Sequence, residues 1–68
     1  MELQSVKSSM VSKIGYEDGT VEIHFSKGGV YTYDNVTEED YNELKSAHSI
    51  GQFLHKTFYK KYKGKKKE

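Results

Sequence analysis

Residues 56–63 carry the pattern best suited to chemistry: Lys56, Tyr59, Lys60, Lys61, Tyr62 and Lys63 interleave ammonium groups with phenol rings. An ammonium attracts phosphate as a point charge, and an aromatic ring stacks on any base, so this pairing suits a single-stranded nucleic acid. The charge of the whole chain strengthens that reading. A formal net charge of +1 conceals an acidic body followed by a basic end. Lys56, Lys60, Lys61, Lys63, Lys65, Lys66 and Lys67 face a single acid, Glu68, after residue 53, whereas Lys7, Lys13, Lys27 and Lys45 are outnumbered by acids before it. Such a split favours a polyanionic partner. The bland alternative is a solvated tail that keeps a small protein dissolved, with Tyr59 and Tyr62 packed on the core.

A second pair, Tyr31 and Tyr33, stands on one face of an expected strand. Exposed, these rings make a stacking platform; buried, they are core with each hydroxyl at the rim. The remaining chemistry is sparse. His24, His48 and His55 lack the spacing of a metal site, which needs three or four convergent ligands. Nothing places a serine or threonine beside a histidine and an orienting acid, and a carboxylate pair such as Asp34 and Glu39 has no evident cleft. Gly28-Gly29 precedes a strand, not a helix, so it reads as a turn instead of a phosphate cradle. The expectation is a non-enzymatic protein without metal or cofactor.

Composition bounds the rest. A chain of 68 residues makes one small domain, with limited core and marginal stability. It has no cysteine, so support comes from aromatic packing or self-association, and a reducing compartment fits. No apolar run is long enough for a secretory signal or a membrane span; the chain reads as cytoplasmic. All its basic residues apart from histidine are lysines, which cannot form the bidentate fork arginine uses to read guanine edges, so nucleic-acid binding should be weakly sequence-specific.

Three strands and two helices must position these residues. Ile14 and Tyr16 alternate with polar neighbours before Glu17-Asp18-Gly19-Thr20, and Val21, Ile23 and Phe25 alternate after it. A two-residue Asp-Gly loop makes a type I′ hairpin that sets Tyr16 opposite Val21 and Ile14 opposite Ile23. The next hairpin turns at Ser26-Lys27-Gly28-Gly29 and leaves two registers open. A two- or four-residue loop turns Val30 and Thr32 inward. A three-residue loop with glycine in the left-handed region turns Tyr31 and Tyr33 inward, and it is favoured because two tyrosines bury more area. Thr37 caps a helix whose first turn is acidic, with Val36 able to staple onto Tyr41, and Tyr41, Leu44 and Ala47 at helical spacing. Ser49 and Gln52 form a capping-box pair at the start of a second helix, with Phe53, Leu54 and Phe58 on its buried side.

The expected fold is therefore α+β, a three-stranded antiparallel β-meander followed by two α-helices packed on one face. Its core comprises Ile14, Tyr16, Val21, Ile23, Phe25, Tyr33, Tyr41, Leu44, Phe53, Leu54 and Phe58. A single domain spans residues 1–62, and residues 63–68 read as a flexible lysine-rich tail.

The order of these motifs resembles the KTSC domain. The residues that carry the likeness are Ser8-Ser9, Ile14-Gly15-Tyr16, Val21-Glu22-Ile23-His24-Phe25, Gly29, Tyr31-Thr32-Tyr33, Val36, Tyr41, Leu44, Ala47, Ser49, Gly51 and Phe53. The likeness covers roughly residues 6–62, and its most specific piece is Tyr31-x-Tyr33 at a fixed distance from Tyr41 and Ser49-x-Gly51. The family takes its name from a place at the C-terminus of some lysyl-tRNA synthetases, and it also occurs as free-standing bacterial and phage proteins. That link implies RNA binding. Near the end, where the family often carries arginine, this chain has only lysine. Together these readings assign phosphate or base contact to Lys56, Tyr59, Lys60, Lys61, Tyr62, Lys63 and Tyr31. Two other expectations belong to different classes: docking of the acidic body on a host protein, and a small homo-oligomer that encloses an anionic nucleotide.

Overall fold

The computed structural model describes residues 2–67. Met1 and Glu68, the first residue of the expected domain and the last of the expected tail, lie outside the described residues. Among these residues five strands form one antiparallel sheet in sequence order: β1 (Leu3–Ser5), β2 (Val11–Glu17), β3 (Thr20–Phe25), β4 (Gly29–Tyr33) and β5 (Gly64–Lys66). Helix α1 (Glu38–Ser46) and a second helical body, α2, over residues 50–61 lie between β4 and β5. Among the described residues no helix is long and apolar enough to cross a membrane.

The α+β class and the antiparallel meander stand; the strand count is corrected from three to five. β1 escaped notice because Leu3-Gln4-Ser5 offers a single apolar residue. β5 is Gly-Lys-Lys, with no apolar residue at all, and it occupies the segment expected to be a tail. What holds it is tertiary: backbone pairing of Tyr31 with Lys66, Thr32 with Lys65 and Tyr33 with Gly64, and a 2.7 Å bond from Lys67 Nζ to Glu22 Oε1. Side chains of residues paired across the sheet share a face. Lys65 and Lys67 thus lie on the open face with Glu22, while Gly64 and Lys66 lie on the helix face with the two tyrosines.

Both hairpins have the expected geometry. Asp18 and Gly19 adopt positive φ of 50° and 81°, and Tyr16 pairs with Val21, and Ile14 with Ile23. In the second, three residues separate Phe25 from its partner Gly29, which sits at φ 84°. This register pairs Ile23 with Tyr31 and Val21 with Tyr33, and turns both tyrosines toward the helices. Tyr33 is buried in the core, and Tyr31 is half-buried and packed against it.

The core also admits residues the pattern missed. Val11 is fully buried because a bulge at Ser12 shifts the register between Val11 and Lys13; without it, Val11 and Ile14 would point to opposite faces. Val36 and Ile50 are buried, whereas Tyr16, Phe25 and Phe53, expected inside, are only partly so. Helix α1 starts as expected, with Thr37 Oγ1 accepting from Asp40 N at 3.1 Å. It is pinned to the sheet by stacking of Tyr41 on Tyr16, 4.7 Å between centroids. Tyr16 also donates to Val36 O at 2.7 Å.

Helix α2 begins with Ser49 Oγ accepting from Gln52 N at 3.4 Å. It runs as α-helix over Ile50–Phe53, widens into a π-helical turn over Leu54–Phe58 and closes with Tyr59–Lys61. The widening suits the buried stripe. Ile50, Leu54 and Phe58 are buried at a strict spacing of four, which overshoots an α-helical turn by about 40° per step. A wider π turn keeps them on one face.

Two buried carboxylates fasten the ends of the fold. Tyr62 donates to Asp40 at 2.6 Å and Lys61 at 3.2 Å, which locks the end of α2 to the start of α1. The Tyr62 hydroxyl, then Lys61, hold the Asp40 carboxyl below its usual value against the opposing effect of burial. Glu22 is lowered likewise, by Lys67 and then His24. Depressed folded-state values contribute stability that is fully present above the ordinary values of 3.8 and 4.5 and is lost as pH falls from there through the lowered ones. Urea unfolding at pH 6 and pH 3 should therefore show a smaller acid loss for Asp40→Asn than for the wild type; equal losses would contradict the latch.

The β5 pairing has its own test. A methyl at Gly64 would sit 2.7 Å from the buried Tyr33 ring, closer than carbon atoms approach. Gly64→Ala should detach the strand, and the Lys67 amide, bonded to Val30 O at 2.7 Å, should lose its protection from hydrogen exchange. Unchanged protection would refute this packing.

Candidate functional site

Because the register turns Tyr31 and Tyr33 toward the helices, a cleft of about 530 Å³ opens beside them, where the β3–β4 hairpin, the β1–β2 loop and α2 meet. Its walls are Phe25, Tyr31, Tyr33 and Tyr59 with Met10, and its rim is Ser9, Lys27 and Gly28. Phe25 and Tyr31 meet edge to face at 5.6 Å, and Tyr33 and Tyr59 lie nearly parallel at 6.4 Å. Phe58 braces Tyr33 from the core at 5.0 Å. Three half-buried rings on a fixed sheet and helix, with ammonium at the edge, offer a flat planar group a place to stack without reorganising the core.

Electrostatics mark the same place. Burial first, and then the neighbouring Tyr59, push the Tyr33 hydroxyl up to about 12. Burial also raises Tyr59, while its interaction with Tyr33 lowers it. Both phenols are therefore neutral at physiological pH. Among the described residues no acid lines the cleft.

The residues singled out by their types distribute unevenly over this geometry. Tyr31 and Tyr59 come together in the cleft, although they lie far apart in sequence. Lys56 stands in an adjoining depression. Lys61 and Tyr62 face Asp40 instead. Lys60 and Lys63 are exposed and line neither cleft.

Part of the basic end is also satisfied internally, since Lys61, Lys65 and Lys67 pair with Asp40, Asp34 and Glu22. The Lys65 pair is long, at 3.9 Å, and exposed on both sides, so it contributes little. Phe25, Met10 and Lys27 were missed as site residues. Phe25 was assigned to the core, and Met10 lies in a loop with no local signal. Among the described residues no group of three His, Asp or Glu side chains is arranged to hold a metal ion.

A meander sheet with one face covered by helices, and an aromatic cleft at the hairpin end, define a small α+β domain with a single layer of helices. The KTSC domain model matches residues 7–62, and the chain belongs to the KTSC domain family. It is similar to a KTSC domain protein from Yersinia pestis known from its crystal structure, at 33% identity and a TM-score of 0.92 over 98% of this chain and 97% of that one. A comparison with curated proteins found no match.

The coupling of the two phenols is open to titration. Tyr59→Phe removes both the charge and the hydrogen-bonding partner that hold Tyr33 up. The Tyr33 midpoint should fall from about 12 yet stay above 10, because burial persists. Ring-carbon NMR across pH 9–13 reads this directly; an unmoved Tyr33 would show that the rings do not communicate.

Proposed function

We propose that this domain is a non-enzymatic binding module for single-stranded RNA or another single-stranded nucleic acid, held in the aromatic cleft. The observation that carries this reading is the set of half-buried rings Phe25, Tyr31 and Tyr59, open to solvent with Lys27 at the rim and, among the described residues, no acid in the lining. Bases stack on such rings irrespective of identity, and lysines hold the backbone that connects them. Lys56, Lys60, Lys63 and Lys66 make no ion pair among the described residues. They supply the phosphate contacts in this reading, with Tyr31 and Tyr59 stacking. Lys61 and Tyr62, bound to Asp40, orient the end of α2. Lacking arginine forks, the module takes strands by backbone and stacking more than by sequence. A cysteine-free chain suits a reducing cytoplasm.

The test is a titration of short oligouridine and oligoadenosine strands, followed by tyrosine fluorescence at increasing salt. Affinity should fall with a slope near −0.7 per phosphate contacted. Tyr31→Ala, at a half-buried position, should weaken binding about fivefold to about a hundredfold, the range of one lost stacking contact. No binding at low salt, or an indifferent Tyr31→Ala variant, would overturn the reading.

A further inference from the structure

Next to the aromatic cleft lies a second depression of about 420 Å³ with a different chemistry. Lys7, His48, His55 and Lys56 surround it, together with the hydroxyl-bearing Ser8 and Ser9 and the side chain of Met10. Among the described residues no carboxylate lines it. Lys7 and Lys56 are exposed and form no ion pair among the described residues. The hydroxyls of Ser8 and Ser49 accept backbone bonds and keep their O–H groups to donate, so they join Ser9, the Gln52 amide, the lysines and the imidazole N–H groups as donors around the depression. Two ammonium groups and two imidazoles around one concavity suit a compact anion with several acceptor oxygens.

The two depressions are adjacent. Ser9 and Met10 line both, and the His55 ring of the second meets the Tyr59 ring of the first edge-on at 5.2 Å. The wide π turn is compatible with this arrangement. Gly51, His55 and Tyr59 repeat at the same spacing of four as the buried Ile50, Leu54 and Phe58, so the turn that keeps the core stripe straight straightens this stripe as well. At Gly51 the helix comes close to the loop: a methyl there would lie 3.3 Å from Met10 Sδ.

We infer that the two depressions form one nucleotide site, with the base in the aromatic cleft and its phosphate between Lys7, Lys56, His48 and His55. This rests on the nucleic-acid reading of the aromatic cleft and adds to it a phosphate subsite. A strand would enter with a phosphate beside α2 and its base beside the β3–β4 hairpin.

Three probes separate the two claims: adenosine, inorganic phosphate and adenosine 5′-monophosphate, each followed by amide chemical shifts of the full chain. Adenosine should move Gly28, Tyr31 and Tyr59; phosphate should move Gly51, His55 and Lys56; the monophosphate should move both sets. The monophosphate should bind about tenfold more tightly than adenosine, the scale of a charge-assisted contact. Lys7→Gln with Lys56→Gln, both at exposed positions, should erase that advantage and leave adenosine binding unchanged. A monophosphate no tighter than adenosine, or an advantage that survives the double substitution, overturns the phosphate subsite while the stacking cleft stands. Failure of adenosine to move the aromatic set overturns the cleft itself, and the nucleotide site with it.

Discussion

One backbone constraint decides which face the central tyrosines occupy. Gly29, at φ 84°, closes the β3–β4 connection after three loop residues, and a strand slipped by one residue would send every side chain to the opposite face. With the observed register Tyr33 becomes core, braced by Phe58, and Tyr31 becomes a cleft wall beside Phe25. A side chain at position 29 would strain that conformation, since residues other than glycine seldom adopt it. The site is thus a consequence of hairpin geometry before it is a consequence of helix packing.

The helical layer completes the cleft through a departure from regularity. Residues spaced by four drift by about 40° per step on an ordinary α-helix, and the π turn at Leu54–Phe58 offsets that drift for two stripes at once. One stripe enters the core and the other forms the wall that carries His55 and Tyr59. Asp40 then fixes the far end of this helix through Tyr62 and Lys61. The acidic body and basic end, read from the sequence as a device for attracting a partner, also attract each other. Glu22 and Asp40 draw Lys67 and Lys61 onto the domain, leaving Lys56, Lys60, Lys63 and Lys66 as cations without an ion pair among the described residues.

How much of this the sequence disclosed depended on the range of the interactions. Asp18-Gly19, Thr37 and Ser49 act within a few residues, and their turn and caps could be read directly. The tyrosine register needed one further argument, the area that two rings bury, and that argument sufficed. Val11 was hidden by a bulge that breaks the alternation, and Ile50 by its place at the very start of a short helical pattern. β5 was hidden because lysine-rich chain has no strand signal of its own; its hydrogen bonds to β4 and its ion pair to Glu22 exist only once the body has folded. The family likeness of residues 6–62 anticipated the membership but not the cleft, which requires Met10, Tyr31 and Tyr59 to meet from three separate elements. The spacing of Gly51, His55 and Tyr59 was the one local clue, and it becomes meaningful only when the wide turn is known.

The central claim is that the hairpin register leaves Tyr31 and Tyr59 as the stacking surface while the other tyrosines serve the fold. Fluorine NMR of the protein carrying 3-fluorotyrosine at all six tyrosine positions, assigned by single Tyr→Phe substitutions, tests it directly during addition of a short RNA strand. The account predicts that the resonances of Tyr31 and Tyr59 shift together and those of Tyr16 and Tyr41 stay fixed. A shift confined to Tyr62, or no shift at Tyr31, would contradict it.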